Sequence, residues 1–409
     1  MRLKLPLLAL ALAASVGFGL AGCGKKSEET TTASTTTPAA AAPAATPAPA
    51  VPAAQIPPPP DVKARSFILI DQQSGRVLAA RDPDKREEPA SLTKLMTAYG
   101  VFHALKEGRL KLTDMVTISE HAWKQEGSRM FVEVGKQVSV ENLIQGMITQ
   151  SGNDATVALA EKVGGNEDTF AQMMNNYAKQ LGMTNSHFMN SAGMPDPKHY
   201  ITARDAATLA AGLIRDFPEY YHWYSEKEFT WNGITQQNRN GLLWRDPTVD
   251  GVKTGHTDTA GYCLIASAKR EGMRLVSVVL GTDSMRARED ASAALLAYGF
   301  NFYESKRIYA AGQPLTTVRV WKGKQDDVGL ALNHDLYVTS QRGRVSNVKA
   351  TFQLPEHVMA PLATNKPVGK AQVVVDGTPV ATYDLYPASN VAQAGIFGRA
   401  WDSLKLMLH

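Results

Sequence analysis

The sequence predicts an α/β (α+β) chain in which a sheet and a cluster of helices are followed by a small separate β domain, with a long leader ahead of both. Three observations predict it. Strand-like apolar runs bracket the middle of the chain, at 67–70 and 77–79 on one side and at 261–266 and 275–280 on the other. Much of the interval between them carries apolar residues at helical spacing. Beyond Gly312-Gln313-Pro314 the pattern changes to short β-like stretches.

The leader opens with Arg2 and Lys4, an apolar run over 5–20 and the small residues Ala21 and Gly22, which is the layout of an export signal over 1–22. The run is about 16 residues, short for a membrane-spanning helix of about 20. Leu20-Ala21-Gly22-Cys23 resembles the bacterial lipobox, which is cleaved before a cysteine that is then lipidated, so Cys23 is the expected lipid site. An ordinary signal peptide with an incidental cysteine is the alternative. Residues 23–63 read as a tether dominated by Thr, Ala and Pro and closing on Pro57-Pro58-Pro59-Pro60. Such a segment has too few bulky apolar groups to offset its ordering entropy. At roughly 3 Å per residue it reaches on the order of 100 Å.

A first domain is expected over 64–312. Its helices are placed at 92–105, 140–148, 155–163 and 170–181, with a last one at 291–303. The β domain follows over 313–390, with β-like stretches at 317–320, 328–332, 345–354 and 372–383, the last turning at Asp376-Gly377. No internal repeat is found. In 391–409, Phe397, Trp401, Leu404 and Leu408 recur at spacings of three and four, with Asp402 and Lys405 off that stripe. This suits a helix lying on a bilayer surface. A terminal helix packed on the protein's own core is the alternative.

Composition narrows the function. The 43 Lys and Arg against 39 Asp and Glu give a net charge of +4, and +2 without Arg2 and Lys4, too near balance to argue for a nucleic-acid partner. Two cysteines exclude a disulfide framework and a cysteine-based zinc site. The nine histidines include no His-Glu-x-x-His, and neither a metal nor a cofactor is expected. Cys263, within an apolar strand, reads as a buried thiol.

The chemistry begins at Pro89-Ala90-Ser91-Leu92-Thr93-Lys94, where a proline sits just ahead of a helix. Ser91 and Lys94 are three residues apart and share a face, so the amine reaches the hydroxyl. A serine hydroxyl is a weak nucleophile until a base takes its proton, and a buried lysine of lowered pKa can be that base. The helix N-terminus adds a positive field that favours the developing alkoxide. The spacing recurs at Ser346 and Lys349, but in β-like sequence, where i and i+3 point to opposite faces. Two further elements add specificity: Ser151-Gly152-Asn153, the single Ser-x-Asn, and Lys253-Thr254-Gly255, the single Lys-Thr-Gly. Each alone reads equally as a helix cap or a strand entry. They stand 60 and 102 residues apart from one motif to the next, in that order, which chance does not readily supply.

This set resembles the Ser-x-x-Lys, Ser-Asp-Asn and Lys-Thr-Gly elements of penicillin-binding proteins and class A β-lactamases, with Gly152 in place of the middle Asp. From about Ala64 to the C-terminus the chain is similar to the low-molecular-mass D-alanyl-D-alanine carboxypeptidases, serine peptidases (peptidase S11 type) of the periplasm that trim peptidoglycan stem peptides. The resemblance is carried by Gln150-Ser151-Gly152-Asn153-Asp154-Ala155, Gly165-Asn166-Glu167-Asp168, Asn238-Arg239-Asn240-Gly241-Leu242-Leu243-Trp244 and Asp250-Gly251-Val252-Lys253-Thr254-Gly255-His256-Thr257. It implies a serine β-lactamase/penicillin-binding-protein-like domain, with an antiparallel sheet and a helical cluster. A small all-β sandwich and an amphipathic anchor helix are implied to follow.

The resemblance also implies roles. Ser91 attacks the carbonyl between two terminal D-alanines and is acylated, and Lys94 accepts its proton. Ser151, bridging Lys94 and Lys253, passes a proton to the leaving D-alanine. Asn153 bonds the peptide amide, Lys253 supplies positive charge, and Gly255 leaves room for substrate backbone beside the strand. The backbone N–H groups of Ser91 and His256 form the oxyanion hole. Arg288 receives the terminal carboxylate with help from Thr254 and Thr257. Arg286 competes for that assignment, and Arg239 is expected to brace the site. The implied partners are the stem peptide, β-lactams as covalent inhibitors, and a membrane surface at the periplasmic face, whether inner through the terminal helix or outer through Cys23. A Ser91–His256 pair is disfavoured because Lys94 already supplies the base. A β-lactamase would need a second general base, and the corresponding stretch, Asn185-Ser186-His187-Phe188-Met189-Asn190, lacks the Glu-x-x-Leu-Asn loop of class A enzymes. Transpeptidase and endopeptidase activities share the acyl-enzyme and stay open, and a non-catalytic wall scaffold is the reading from another class.

Overall fold

The apolar run at 67–70 is continuous because its strand is covered on both faces. In the computed structural model, which describes residues 56–344 and 346–407, Ser66–Asp71 is buried throughout. Ile68 and Ile70 point into one core with the helices, and Phe67 and Leu69 into a second on the opposite face. The sheet is antiparallel and five-stranded. Its order is Val77–Arg81, Ser66–Asp71, Met273–Thr282, Gly261–Arg270 and Val249–Thr257, which leaves Val249–Thr257 as an edge strand. The helices Lys94–Lys106, Val140–Thr149, Asn153–Gly164, Glu167–Gln180 and Ala203–Asp216 bury the first core. Met285–Phe302 covers the other face. Several helices start where a side chain caps them: Ser139, Asn166, Thr202 and Ser284 each accept a backbone N–H three residues on. The Ser284 cap starts the last helix earlier than the apolar spacing from 291 suggests.

The export signal, Cys23 and most of the tether lie outside the described residues. The tether's last part, 56–63, does pack: Val62 is buried in the second core, and the Tyr298 hydroxyl donates to the Pro57 carbonyl. The β domain also begins before Gly312. Tyr303–Tyr309 follows directly from the long helix and pairs with Leu336–Gln341. Its charged, alternating sequence, TyrGluSerLysArgIleTyr, hides a strand whose faces are half wet. The remaining strands form a six-stranded sheet around a third core that includes Val320, Leu330, Val373 and Leu385. Thr339 ties this domain to the first, donating to Asp71 at 2.7 Å and accepting Arg76 at its carbonyl.

The terminal helix Ile396–Leu406 buries none of its residues. Ile396, Phe397, Trp401 and Leu404 are exposed, and Asp402 anchors the helix by accepting the Lys322 N–H at 2.6 Å. It is therefore not packed on the core. No described helix is long and apolar enough to cross a membrane.

Candidate active site

The three motifs converge although they are far apart in sequence. Ser91 sits in a short 3-10 turn, Ala90–Thr93, that leads into Lys94–Lys106. In such a turn residues i and i+3 eclipse, which stacks the serine over the lysine. The Lys94 Nζ lies 3.0 Å from the Ser91 Oγ. It also donates to the Asn153 Oδ1 and to the Ala192 carbonyl, both at 2.7 Å. These last two partners only accept. They take both N–H groups of an uncharged amine and leave its lone pair facing the Ser91 hydroxyl. Burial, then the charge of Arg239, lowers the Lys94 pKa from 10.5 to about 7, against the opposing pull of Asp154 and Glu167. The geometry is that of a serine beside a proton acceptor.

Backbone strain aims these groups. Ala90 (φ 48) and Ser151 (φ 65) are in the left-handed region, at a cost of order 1–3 kcal/mol each. The Ser191–Gly193 segment presses on the nucleophile turn so closely that a Cβ at Gly193 would stand 1.8 Å from the Ala90 carbonyl oxygen. Gly255 is required for a similar reason: a Cβ there would meet the Pro89 carbonyl at 3.0 Å, so the edge strand packs against the turn that carries Ser91. Substrate clearance is thus not the tightest constraint on Gly255.

Ser151 accepts a hydrogen bond from the Lys253 Nζ at 2.9 Å. The expected bridge to Lys94 is not made, because the three neighbours of the Lys94 amine are Ser91, Asn153 and Ala192. Asn153 is committed on both ends of its amide, the Nδ2 donating to the Glu126 carbonyl at 2.6 Å. Burial and the charges of Lys94, Arg239 and Arg288 hold Lys253 well below the usual lysine range.

These groups line an open cleft of about 880 Å³ that includes Ser91, Ser151, Asn153, Thr254, His256 and Arg288. Arg288 is buried, has no ion pair among the described residues, and donates only to carbonyls, of Gly255, Cys263 and Arg239 at 3.3, 3.5 and 3.2 Å. An unneutralised guanidinium facing a cleft suits a carboxylate. Arg286 points to solvent and pairs with Asp290 at 3.0 Å, which separates it from Arg288. The Thr254 hydroxyl has no partner among the described residues, whereas Thr257 donates to Glu88 at 2.9 Å and is spoken for. The exposed His256 ring lies against Tyr262 and makes no bond to Ser91. The Arg239 side chain is an exposed cation on the cleft wall with no ion pair among the described residues, and its charge depresses both lysines, while its backbone carbonyl accepts Arg288 at 3.2 Å. Sequence reading missed this, as it missed the Ala192 and Glu126 carbonyls, which carry no side-chain signal. Cys263 is buried and its thiol is pushed up to about 11 by burial. No cluster of metal-ligating side chains occurs among the described residues.

Fold and site together define a serine-type hydrolase of penicillin-binding-protein-like architecture. The chain belongs to the D-alanyl-D-alanine carboxypeptidase family (peptidase S11), whose profile matches residues 53–284; that of the penicillin-binding protein 5 C-terminal domain matches 303–393. It is 46% identical to D-alanyl-D-alanine carboxypeptidase DacA of Haemophilus influenzae over 354 residues, covering 85% of this chain and 90% of the relative. To DacA of Escherichia coli K12 it is 43% identical over 362 residues, covering 87% and 90%. Among solved structures, penicillin binding protein 5 from Haemophilus influenzae superposes with a TM-score of 0.74 at 45% identity, covering 82% of this chain and 99% of that one. Penicillin-binding protein D2 from Listeria monocytogenes, in its ampicillin-bound form, superposes with a TM-score of 0.55 at 30% identity, covering 60% and 100%.

Proposed function

We propose that this protein removes the terminal D-alanine from peptidoglycan stem pentapeptides through an acyl-enzyme on Ser91. The observation that carries the reading is the Ser91–Lys94 pair at 3.0 Å, with the amine's other contacts limited to acceptors. Lys94 takes the hydroxyl proton as the Ser91 Oγ bonds to the carbonyl carbon of the penultimate D-alanine. The oxyanion is received by the N–H groups of Ser91 and His256. As the C–N bond breaks, Lys94 gives that proton up to the departing amine, with the Ser151 hydroxyl, held by Lys253 at 2.9 Å, as the relay; neutral again, Lys94 takes a proton from the water that hydrolyses the ester and returns it to the Ser91 Oγ. Substrate backbone lies along the free edge of Val249–Thr257. Arg288 and Thr254 hold the terminal carboxylate, and Asn153 keeps Lys94 aimed while its remaining N–H faces the peptide.

The test is release of D-alanine from diacetyl-Lys-D-Ala-D-Ala by the purified full chain. Release supports the reading, and none by a folded protein favours a wall scaffold. Two outcomes sharpen it. Since the base must be unprotonated, kcat/KM falls below pH 7, about tenfold per pH unit, and levels above it; a flat profile from pH 5 to 8 would rule out Lys94 as the base. Replacing Arg288 by Gln raises KM by roughly 10–100-fold, with a smaller effect on an amidated substrate. An equal effect on both would show that Arg288 does not read the carboxylate.

β-Lactams acylate the same serine and stay there. Asp258 is the one carboxylate among the described residues lining the cleft, and it is exposed, so no second general base stands ready for fast hydrolysis. The protein works at the periplasmic face of a membrane, held by a lipid on Cys23 and by the apolar face of Ile396–Leu406. Mass spectrometry of the mature N-terminus and fractionation of the two membranes test that placement; an unmodified N-terminus beyond Cys23 would remove the lipid.

A further inference from the structure

Behind the lysine stands a carboxylate that the reaction as described does not use. Glu167 opens the helix Glu167–Gln180 with its side chain 15% exposed. Its Oε1 accepts both the N–H and the hydroxyl of Ser191, at 2.9 and 2.5 Å, and its Oε2 meets the Nε2 of the exposed His121 at 2.9 Å. The Ser191 carbonyl accepts from Thr97, one turn beyond Lys94, at 2.7 Å. The next carbonyl, of Ala192, receives the Lys94 amine at 2.7 Å, and the next residue, Gly193, abuts the Ala90 carbonyl. Three consecutive residues thus link a mostly buried carboxylate, the lysine and the turn that carries Ser91.

We propose that Glu167 is a positioning residue for the reaction: by fixing the Ser191–Ala192 peptide it orients the Lys94 amine, with His121 as its solvent-side partner. This rests on Lys94 acting as the base. The same carboxylate acts through charge. The ionised groups bearing on Lys94 are Asp154 from Asn153–Gly164 and Glu167, which favour its cation, and Arg239, which opposes it. Lys253 on the edge strand adds a further coupled amine. Facing Glu167 itself is His121 from Glu120–Trp123.

Geometry and charge separate in two variants. Glu167→Gln keeps an acceptor for Ser191 but removes the anion, so the acid limb of kcat/KM moves to lower pH by about 0.5–1 unit. Glu167→Asp keeps the charge but is one methylene too short to hold Ser191 and His121 together. Its limb stays in place while kcat falls roughly tenfold at near-constant KM. A limb that stays put in Glu167→Gln, or moves to higher pH, overturns the proposal, as does full kcat in Glu167→Asp. Should Glu167→Gln not fold, His121→Ala at its exposed position tests the same link: kcat drops about threefold or more with KM unchanged, and no drop overturns the proposal. If Lys94 were not the base, the parent itself would lack the limb near pH 7, so the two failures are distinguishable.

Discussion

Replacing Ser91 by Ala lowers D-alanine release from diacetyl-Lys-D-Ala-D-Ala by roughly 10³–10⁶-fold, since covalent catalysis loses its nucleophile and the remaining groups cannot substitute for it. The change removes one hydroxyl from a half-buried position, so thermal unfolding stays within a few degrees of the parent. The cleft keeps Arg288, Thr254 and the edge strand, and the variant still binds the peptide. Retention of more than a tenth of the activity would mean that Ser151, the other serine hydroxyl bonded to a buried lysine, carries the acyl group instead.

Lys94→Met has the second-largest effect, an expected loss of about 10²–10⁴-fold in the rate of Ser91 acylation, the span of a general base. Methionine fills most of the buried volume, which keeps the cavity cost small. The Asn153 Oδ1 and the Ala192 carbonyl then lose a donor, which costs about 1–3 kcal/mol for each acceptor left buried and unpaired. Stability and rate are therefore measured together, and the base assignment is read from the pH profile: the limb near pH 7 disappears with the amine. A variant that is slow yet keeps that limb assigns it to another group.

The parts of this molecule legible in sequence are those where one physical rule acts alone. The strands at 66–71 and 273–282 are covered on both faces and read as apolar runs. Ser91 and Lys94 lie within one turn, so their meeting is a property of local geometry. The edge strand Val249–Thr257 was harder to see. It carries Lys253, His256 and two threonines at the cleft and Asp250 in an ion pair with Arg274, and these polar residues break the alternation that marks a strand. Ala203–Asp216 is short of bulky side chains, and its helix depends on a Thr202 cap and on alanines buried against the sheet. The contacts of the Lys94 amine illustrate the limit most clearly. Its donors end on a backbone carbonyl and on an amide that a motif search assigns to substrate, and the anion behind them, Glu167, approaches through a loop 24 residues downstream of it in sequence. Around Arg239 the bracing is done by its neighbours and its backbone: Asn238 and Asn240 bond the Glu226 and Gly251 carbonyls, and the Arg239 carbonyl accepts Arg288, while the Arg239 side chain is exposed on the cleft wall.

The central claim is that Ser91 is the acylated nucleophile. It is tested most directly by incubating the full chain with benzylpenicillin, digesting it and mapping the modified residue by mass spectrometry. The expected result is one stoichiometric penicilloyl adduct, on the peptide containing Ser91, absent in Ser91→Ala and formed slowly in Lys94→Met. An adduct on Ser151 or any other residue, or a parent protein that hydrolyses the drug while remaining unmodified, would contradict it.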